Sequence, residues 1–383
     1  MKIVFTNDTI YGYATDAAVT GGAERQQWLL ARALAAAGWA VTVGVHEALA
    51  AGERCSIDGV TFVGIGRGHI GLGREHIHLI WYRFLASEQP EWWYWRCANH
   101  LLGSAVEVAK LARVRTIFAA AVDGDVRPHR ALFRRSYWWP LYAWGLARTD
   151  KILVQHTGQL AALASRWRPK ASIVPSIAGE LAAVKPHEER DQYVAWVAML
   201  RQPKRPDLLL EIARKLPDVR FVVCGGPTPF ASPPGYSERI VAALQAQPNI
   251  VFLGAVAPQK ARQIIANAAM LLSTSDLEGF PNTFLEAWSS GTPVISLHID
   301  PNRIIEQQEL GTVPGTTERA TADILALMGA PQLRDDMAAR ARQYVAATHS
   351  EAAVVAAFEG AIEPAQRGRP RGASSRNHTT VED

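Results

Sequence analysis

Ser275-Asp276-Leu277-Glu278-Gly279-Phe280-Pro281-Asn282-Thr283-Phe284-Leu285-Glu286-Ala287-Trp288, followed by Gly291-Thr292-Pro293-Val294, stands in the C-terminal half of the chain. Its two glutamates are separated by seven residues that hold a Gly-x-Pro turn and the opening of a helix. Such a turn leaves backbone N–H groups where an anion can sit, and a helix N-terminus adds partial positive charge there. One acid precedes the turn and the other lies in the helix. The stretch therefore offers amides to an anion and carboxylates to hydroxyl groups. Apolar runs at 270–273 and 294–297 flank it, giving strand, loop, helix and strand, the unit of a parallel α/β fold.

The same alternation extends outward. In the C-terminal half, strands are expected at 194–198, 219–224 and 249–253, with helices at 207–216 and 259–267. In the N-terminal half, strands are expected at 2–6, 40–45, 116–122 and 151–155, with a helix from 23 to 37 closed by Gly38. A chain of 383 residues is too long for one ordinary core, so two domains are expected. The division is 1–178 for the first domain, 179–192 for a charged linker and 193–343 for the second domain. A C-terminal helix at 344–362 and a disordered tail at 363–383, rich in Arg, Gly and Ser, complete the chain.

A hydrophobic fraction of 48% and a charged fraction of 20% describe a folded, water-soluble chain. No apolar run reaches the roughly 18–20 residues of a membrane helix, and the polar turn after Phe5 makes the N-terminus a first strand rather than a signal peptide. Cys55, Cys97 and Cys224 lack metal-ligand spacing, and their odd number favours reduced thiols in the cytoplasm. The net charge of +4 is unevenly spread: five arginines and no acid lie between Arg127 and Arg148, among Tyr137, Trp138, Trp139, Tyr142 and Trp144. A second aromatic group, Trp81, Tyr82 and Trp92 to Trp95, lies upstream. Rings beside arginines suit an anionic membrane surface; equally, the rings pack a core helix, kinked by Pro140, whose arginines face water. No nucleic-acid-binding motif accompanies the charge.

Three further segments carry chemistry. Thr20-Gly21-Gly22-Ala23-Glu24-Arg25 leads into a helix, so backbone approaches a ligand closely at a helix N-terminus. Val197-Ala198-Met199-Leu200-Arg201-Gln202-Pro203-Lys204 ends a strand in a basic loop. Asp123-Gly124-Asp125 follows another strand; Asp-x-Asp there either holds a divalent metal, forms an Asp-Gly turn, or orients a substrate hydroxyl. Thr283-x-x-Glu286 also matches a capping box, which would make Glu286 structural. His129, His156 and His298 receive no role.

Together these segments resemble the retaining glycosyltransferases of family 4, of the GT-B fold. The likeness runs to about Phe358 and is most specific between Ser275 and Val294. It implies two Rossmann-like domains facing across a cleft, and a last helix that crosses back to the first domain. It also implies a metal-independent transfer, with retention, of a hexosyl group from a nucleoside diphosphate sugar to an acceptor hydroxyl. Gly21 and Gly22 would contact the donor diphosphate, and Lys204 would clamp it. The family's arginine position is Met199 here, so Arg201 would have to replace it. Glu286 would bind the ribose hydroxyls. Glu278 would bind the donor sugar, with Gly279, Phe280 and Pro281 presenting backbone amides and with Asn282 and Thr283 near the phosphates. Asp125 or Asp123 would orient the acceptor. No cofactor is implied beyond the donor itself. The expected partners are a glycan or lipid-linked acceptor and an anionic membrane surface on its cytoplasmic face, not nucleic acid. A nucleotide-sugar epimerase or hydrolase, and a non-catalytic nucleotide-sugar-binding subunit, are the alternatives. A nicotinamide dehydrogenase lacks its Gly-x-Gly-x-x-Gly after the first strand.

Overall fold

The computed structural model describes residues 1–17, 21–69, 76–131, 138–179, 181, 184–228 and 232–363. Thr20, Tyr137 and the tail from Pro364 lie outside them.

Two sheets carry the chain. The first contains β1 (Lys2–Thr6), β2 (Ala40–Val45), β3 (Arg54–Ile57), β4 (Val60–Gly64), β5 (Trp92–Arg96), β6 (Arg115–Ala119), β7 (Lys151–Val154) and β8 (Ala171–Ile173). Their spatial order is β3-β4-β2-β1-β5-β6-β7-β8, and all pairs except β3 with β4 are parallel. The second sheet contains β9 (Tyr193–Val197), β10 (Arg220–Cys224), β11 (Ile250–Phe252), β12 (Met270–Ser273), β13 (Val294–Ser296) and β14 (Gly311–Thr312). Its order is β11-β10-β9-β12-β13-β14, entirely parallel. In open parallel sheets ligands bind beyond the C-terminal strand ends, where order reverses between neighbours. β1 beside β5 and β9 beside β12 are those places.

The aromatic run Trp92–Trp95 is the interior strand β5, not an interfacial patch. It sits between β1 and β6, with Trp92, Trp93 and Tyr94 all buried. Trp81, Trp93 and Trp95 meet edge-on with ring centroids 5.4 to 5.5 Å apart. A strand buried on both faces has no polar alternation, which is why periodicity does not reveal it. Pro140 does not kink a helix either. It lies in the first turn of the helix Trp139–Arg148, where no intrahelical N–H bond is forfeited. Tyr142 packs inward, whereas Trp139 (45% exposed), Leu141 and Trp144 (49% exposed) face outward.

The segment expected as a linker is held down. His187 and Arg190 are buried, and Arg190 donates to Ser290 O (2.8 Å) just past the helix Asn282–Ser289. Helix Pro331–Thr348 packs on the second sheet through Ala341 and Val345. Helix Glu351–Ile362 packs on the first, placing Val354 and Phe358 among Trp39, Tyr94 and Ile3. His349 marks the turn between the two helices. Its Nδ1 donates to Ser176 O (2.7 Å), its Nε2 meets Tyr344 Oη at 3.1 Å, and its ring lies 4.8 Å from that of Phe280.

Candidate functional site

The C-terminal strand ends of the two sheets face each other across a cavity of about 550 Å³. Gly21, Gly22 and Asp125 line it from the N-terminal half; Arg201, Lys204, Glu278, Phe280, Pro281, Asn282 and Thr283 line it from the C-terminal half. Ten of the residues singled out from the sequence thus converge on one space. Gly279 and Glu286 stand beside it.

Lys204 ends the one-turn helix Gln202–Lys204 that follows β9. Two bonds tie this turn to the end of β12: Thr274 Oγ1 donates to Lys204 O (2.8 Å) and Asp276 N donates to Pro203 O (2.9 Å). The Lys204 ammonium meets the Glu278 carboxylate, each side chain 13% exposed. One point of the cavity wall therefore holds a cation and a carboxylate fixed against each other. Met199 lines the cavity, and Arg201 reaches it from two residues further along.

The capping-box reading of Thr283 and Glu286 fails. The helix begins two residues earlier than that reading requires, with Pro281 as its N-cap and no side-chain cap. Glu286 instead points across the cleft, 3.4 Å from Arg25 Nη1, both side chains 12% exposed. Burial pushes its carboxyl above the usual range, and the positive charges of Arg25 and Arg262 pull it back.

The backbone of the turn is used differently from the expectation. Pro281 has no N–H to offer, and the Phe280 N–H donates to Gln155 Oε1 (3.2 Å) in the facing domain. Asn282 is turned to the facing loop as well: its Nδ2 donates to Gly22 O (2.8 Å), and its Oδ1 accepts from Gln26 Nε2 (2.9 Å). A short antiparallel bridge joins Val122 to Gly279, with Asp123 N donating to Glu278 O (3.2 Å). Both glycines serve this close approach. A Cβ on Gly279 would strike Gln155 Oε1 and Ala121 O, and one on Gly22 would strike the Asn282 amide.

Asp125 does not present its carboxylate to the cavity as an acceptor-orienting base would. Its Oδ2 accepts from Ala121 N (2.8 Å) and Val122 N (3.2 Å), and Ala98 N also donates to the carboxylate. It knits the loop after β6 to the loop after β5. Asp123, about half exposed, takes a separate path: its Oδ1 lies 3.0 Å from His156 Nε2 and accepts from Gln159 Nε2 (3.1 Å). The two carboxylates diverge, so the Asp-x-Asp spacing does not make a shared metal site. Among the described residues no three His, Cys, Asp or Glu are grouped to hold a metal ion.

Sequence reasoning passed over Arg25, Gln26, Arg96, Gln155 and His349. Gln26 and Gln27 did leave a signal, as buried amides on an otherwise apolar helix face. Gln26 also exchanges two bonds of 2.8 Å with the Ile177 backbone, pinning the glycine loop to the interdomain crossover.

Residues 179–344 match the family model described as glycosyl transferases group 1. The matched stretch takes in Lys204, Glu278 and Glu286 together. The chain is 33% identical over 178 residues to the D-inositol 3-phosphate glycosyltransferase of Mycolicibacterium paratuberculosis, covering 44% of this chain and 40% of that protein. It is 27% identical over 149 residues to the alpha-galactosylglucosyldiacylglycerol synthase of Streptococcus pneumoniae, covering 39% and 40%. The matched stretch therefore spans about 40% of these relatives' length. In structure the chain superposes on the sucrose-phosphate synthase of Thermosynechococcus elongatus with TM-score 0.73 at 16% identity, covering 94% of this chain and 98% of that one. It superposes on Anabaena HepE in complex with UDP-glucose with TM-score 0.69 at 14% identity, covering 94% and 99%. The fold is GT-B.

Proposed function

We propose that this protein is a retaining, metal-independent hexosyltransferase that moves a hexosyl group from a nucleoside diphosphate sugar to an acceptor hydroxyl in the synthesis of a surface glycan or glycolipid. The observation that carries the reading is the Lys204–Glu278 pair set opposite the Gly21–Gly22 loop in one cavity. In the proposed reaction the bond from the sugar's anomeric carbon to the diphosphate breaks while a bond from the acceptor oxygen forms on the same face. The acceptor proton passes to the departing phosphate oxygen. Charge accumulates on the diphosphate in that transition state, and fixed cations and amides stabilise it most there. Lys204, Arg201 and the N-terminus of the helix Asn282–Ser289 supply them without a metal. Glu278 holds sugar hydroxyls and Glu286 holds the ribose. The solved relative HepE carries UDP-glucose, so uridine diphosphate hexoses are the first donors to test.

A thermal-shift screen over nucleoside diphosphate sugars should show selective stabilisation by one donor. Incubation of that donor without acceptor then separates transfer from the epimerase or hydrolase alternative, because rapid epimerised or hydrolysed product would sink the transferase reading.

A lipid-linked acceptor is the finer reading, motivated by the outward faces of Trp139, Leu141 and Trp144 beside a basic segment. Among the described residues no helix is long and apolar enough to cross a membrane, so this surface would dock on anionic lipid rather than span it. Co-sedimentation should rise with anionic lipid content; indifference to that content removes this part of the proposal.

A further inference from the structure

We propose that Arg96 recognises an anionic group, a phosphate or a carboxylate, carried by the acceptor. The inference rests on the transferase reading above. Arg96 is the last residue of β5, and it lines the interdomain cavity from the N-terminal sheet. Its Nη1 donates to the buried Tyr94 hydroxyl at 3.1 Å. Among the described residues its buried Nε has no hydrogen-bond partner and its guanidinium forms no ion pair.

A guanidinium carries five N–H donors and a permanent charge. Placing that charge in a wall without a counter-ion is costly unless a ligand supplies one. The carboxylate that influences it, Asp125, is held by the amides of Ala121, Val122 and Ala98 and lies outside ion-pair distance. On the opposite wall lie Lys204 and Arg201, the cations proposed above for the donor diphosphate. Arg96 lines the wall across from these two cations. Its planar fork matches the paired oxygens of phosphate or carboxylate.

Inorganic phosphate is the probe, titrated against sodium chloride of equal ionic strength with UDP saturating, so that the diphosphate cations are already occupied. Wild-type protein should gain a saturable rise in Tm from phosphate. Arg96→Gln should weaken that response at least tenfold, and Arg96→Lys, which keeps the charge but loses the fork, should fall between. UDP affinity should stay within about twofold in both variants. Absence of a phosphate response in wild type, or an unaltered response in either folded variant, overturns the proposal and leaves Arg96 as a partner of Tyr94 only. Failure of wild type to bind any nucleoside diphosphate sugar in the screen sinks the transferase reading and this inference together, so the two failures are distinguishable. A comparison of UDP-glucuronate with UDP-glucose separates the sources of the anion. If Arg96→Gln abolishes a preference for UDP-glucuronate and spares phosphate binding, the anion belongs to the donor, and the acceptor assignment is wrong.

Discussion

The two walls of the cleft differ in how their chemistry is assembled. The C-terminal wall draws Glu278, the Gly-x-Pro turn and Glu286 from one strand-to-helix connection, with Lys204 from the neighbouring connection after β9. The N-terminal wall gathers Gly22 from the start of the helix Gly22–Ala36, Arg96 from the end of β5, Val122 from the loop after β6 and Gln155 from the end of β7. Local assembly ties donor chemistry to a short stretch of chain. Dispersed assembly makes the other wall depend on strand order, so its residues can vary singly without dismantling the donor site.

Breaking the C-terminal wall should have the largest effect. Glu278→Gln keeps the shape and a neutral contact to Lys204 but removes the carboxylate. Hexosyl transfer should fall by about 10²–10³ in kcat, the scale of losing one preorganised electrostatic contact, while UDP affinity changes little. Steady-state kinetics beside calorimetric titration with UDP would check this, and an unchanged kcat would remove Glu278 from the reaction.

The comparison sharpens at the contact between the walls. Gly279→Ala introduces a Cβ that collides with Gln155 Oε1 and Ala121 O, both on the facing domain. The variant should remain folded, lose the Val122–Gly279 bridge and adopt a more open average shape. Small-angle scattering should report a larger radius of gyration, and kcat should drop by roughly tenfold or more because the near-attack geometry is no longer held. An unchanged radius and rate would mean that the interdomain bridge does not matter.

A smaller effect concerns the crossover that joins the walls. Burial pushes the His349 imidazole from its ordinary 6.5 down to about 4. Between those values the unfolded chain binds a proton that the folded chain refuses, so stability falls as pH drops from about 6.5 through about 4. At ~1.4 kcal/mol per unit the loss approaches about 3 kcal/mol. His187, buried and also lowered to about 4, acts in the same window. His349→Gln should flatten, not abolish, the decline of Tm on acidification; a slope equal to wild type would assign the decline to other groups.

Much of the C-terminal wall was legible because its signals are contiguous: a turn, an acid before it and a second acid in the following helix. The capping-box ambiguity at Glu286 was not resolvable locally, since it is the distant Arg25 that draws the carboxylate across the cleft. Most strands of both sheets follow from apolar runs between turns. β5 does not, because a strand covered on both faces reads as a plain aromatic run, and with it Arg96 went unnoticed at its end. Asp125 misled for the opposite reason. Its spacing resembled a catalytic or metal-binding pair, but three backbone amides occupy its carboxylate, and amide positions are invisible in a sequence.

The central claim is that the nucleotide is held chiefly by the C-terminal wall and that Arg96 on the N-terminal wall serves the acceptor. Calorimetric titration of UDP into wild type, Glu286→Ala and Arg96→Gln tests it most directly. The account predicts that Glu286→Ala weakens UDP binding by about 10-fold or more, the worth of hydrogen bonds to a charged group, and that Arg96→Gln leaves it within about twofold. Equal losses in both variants, or a loss confined to Arg96→Gln, would contradict it.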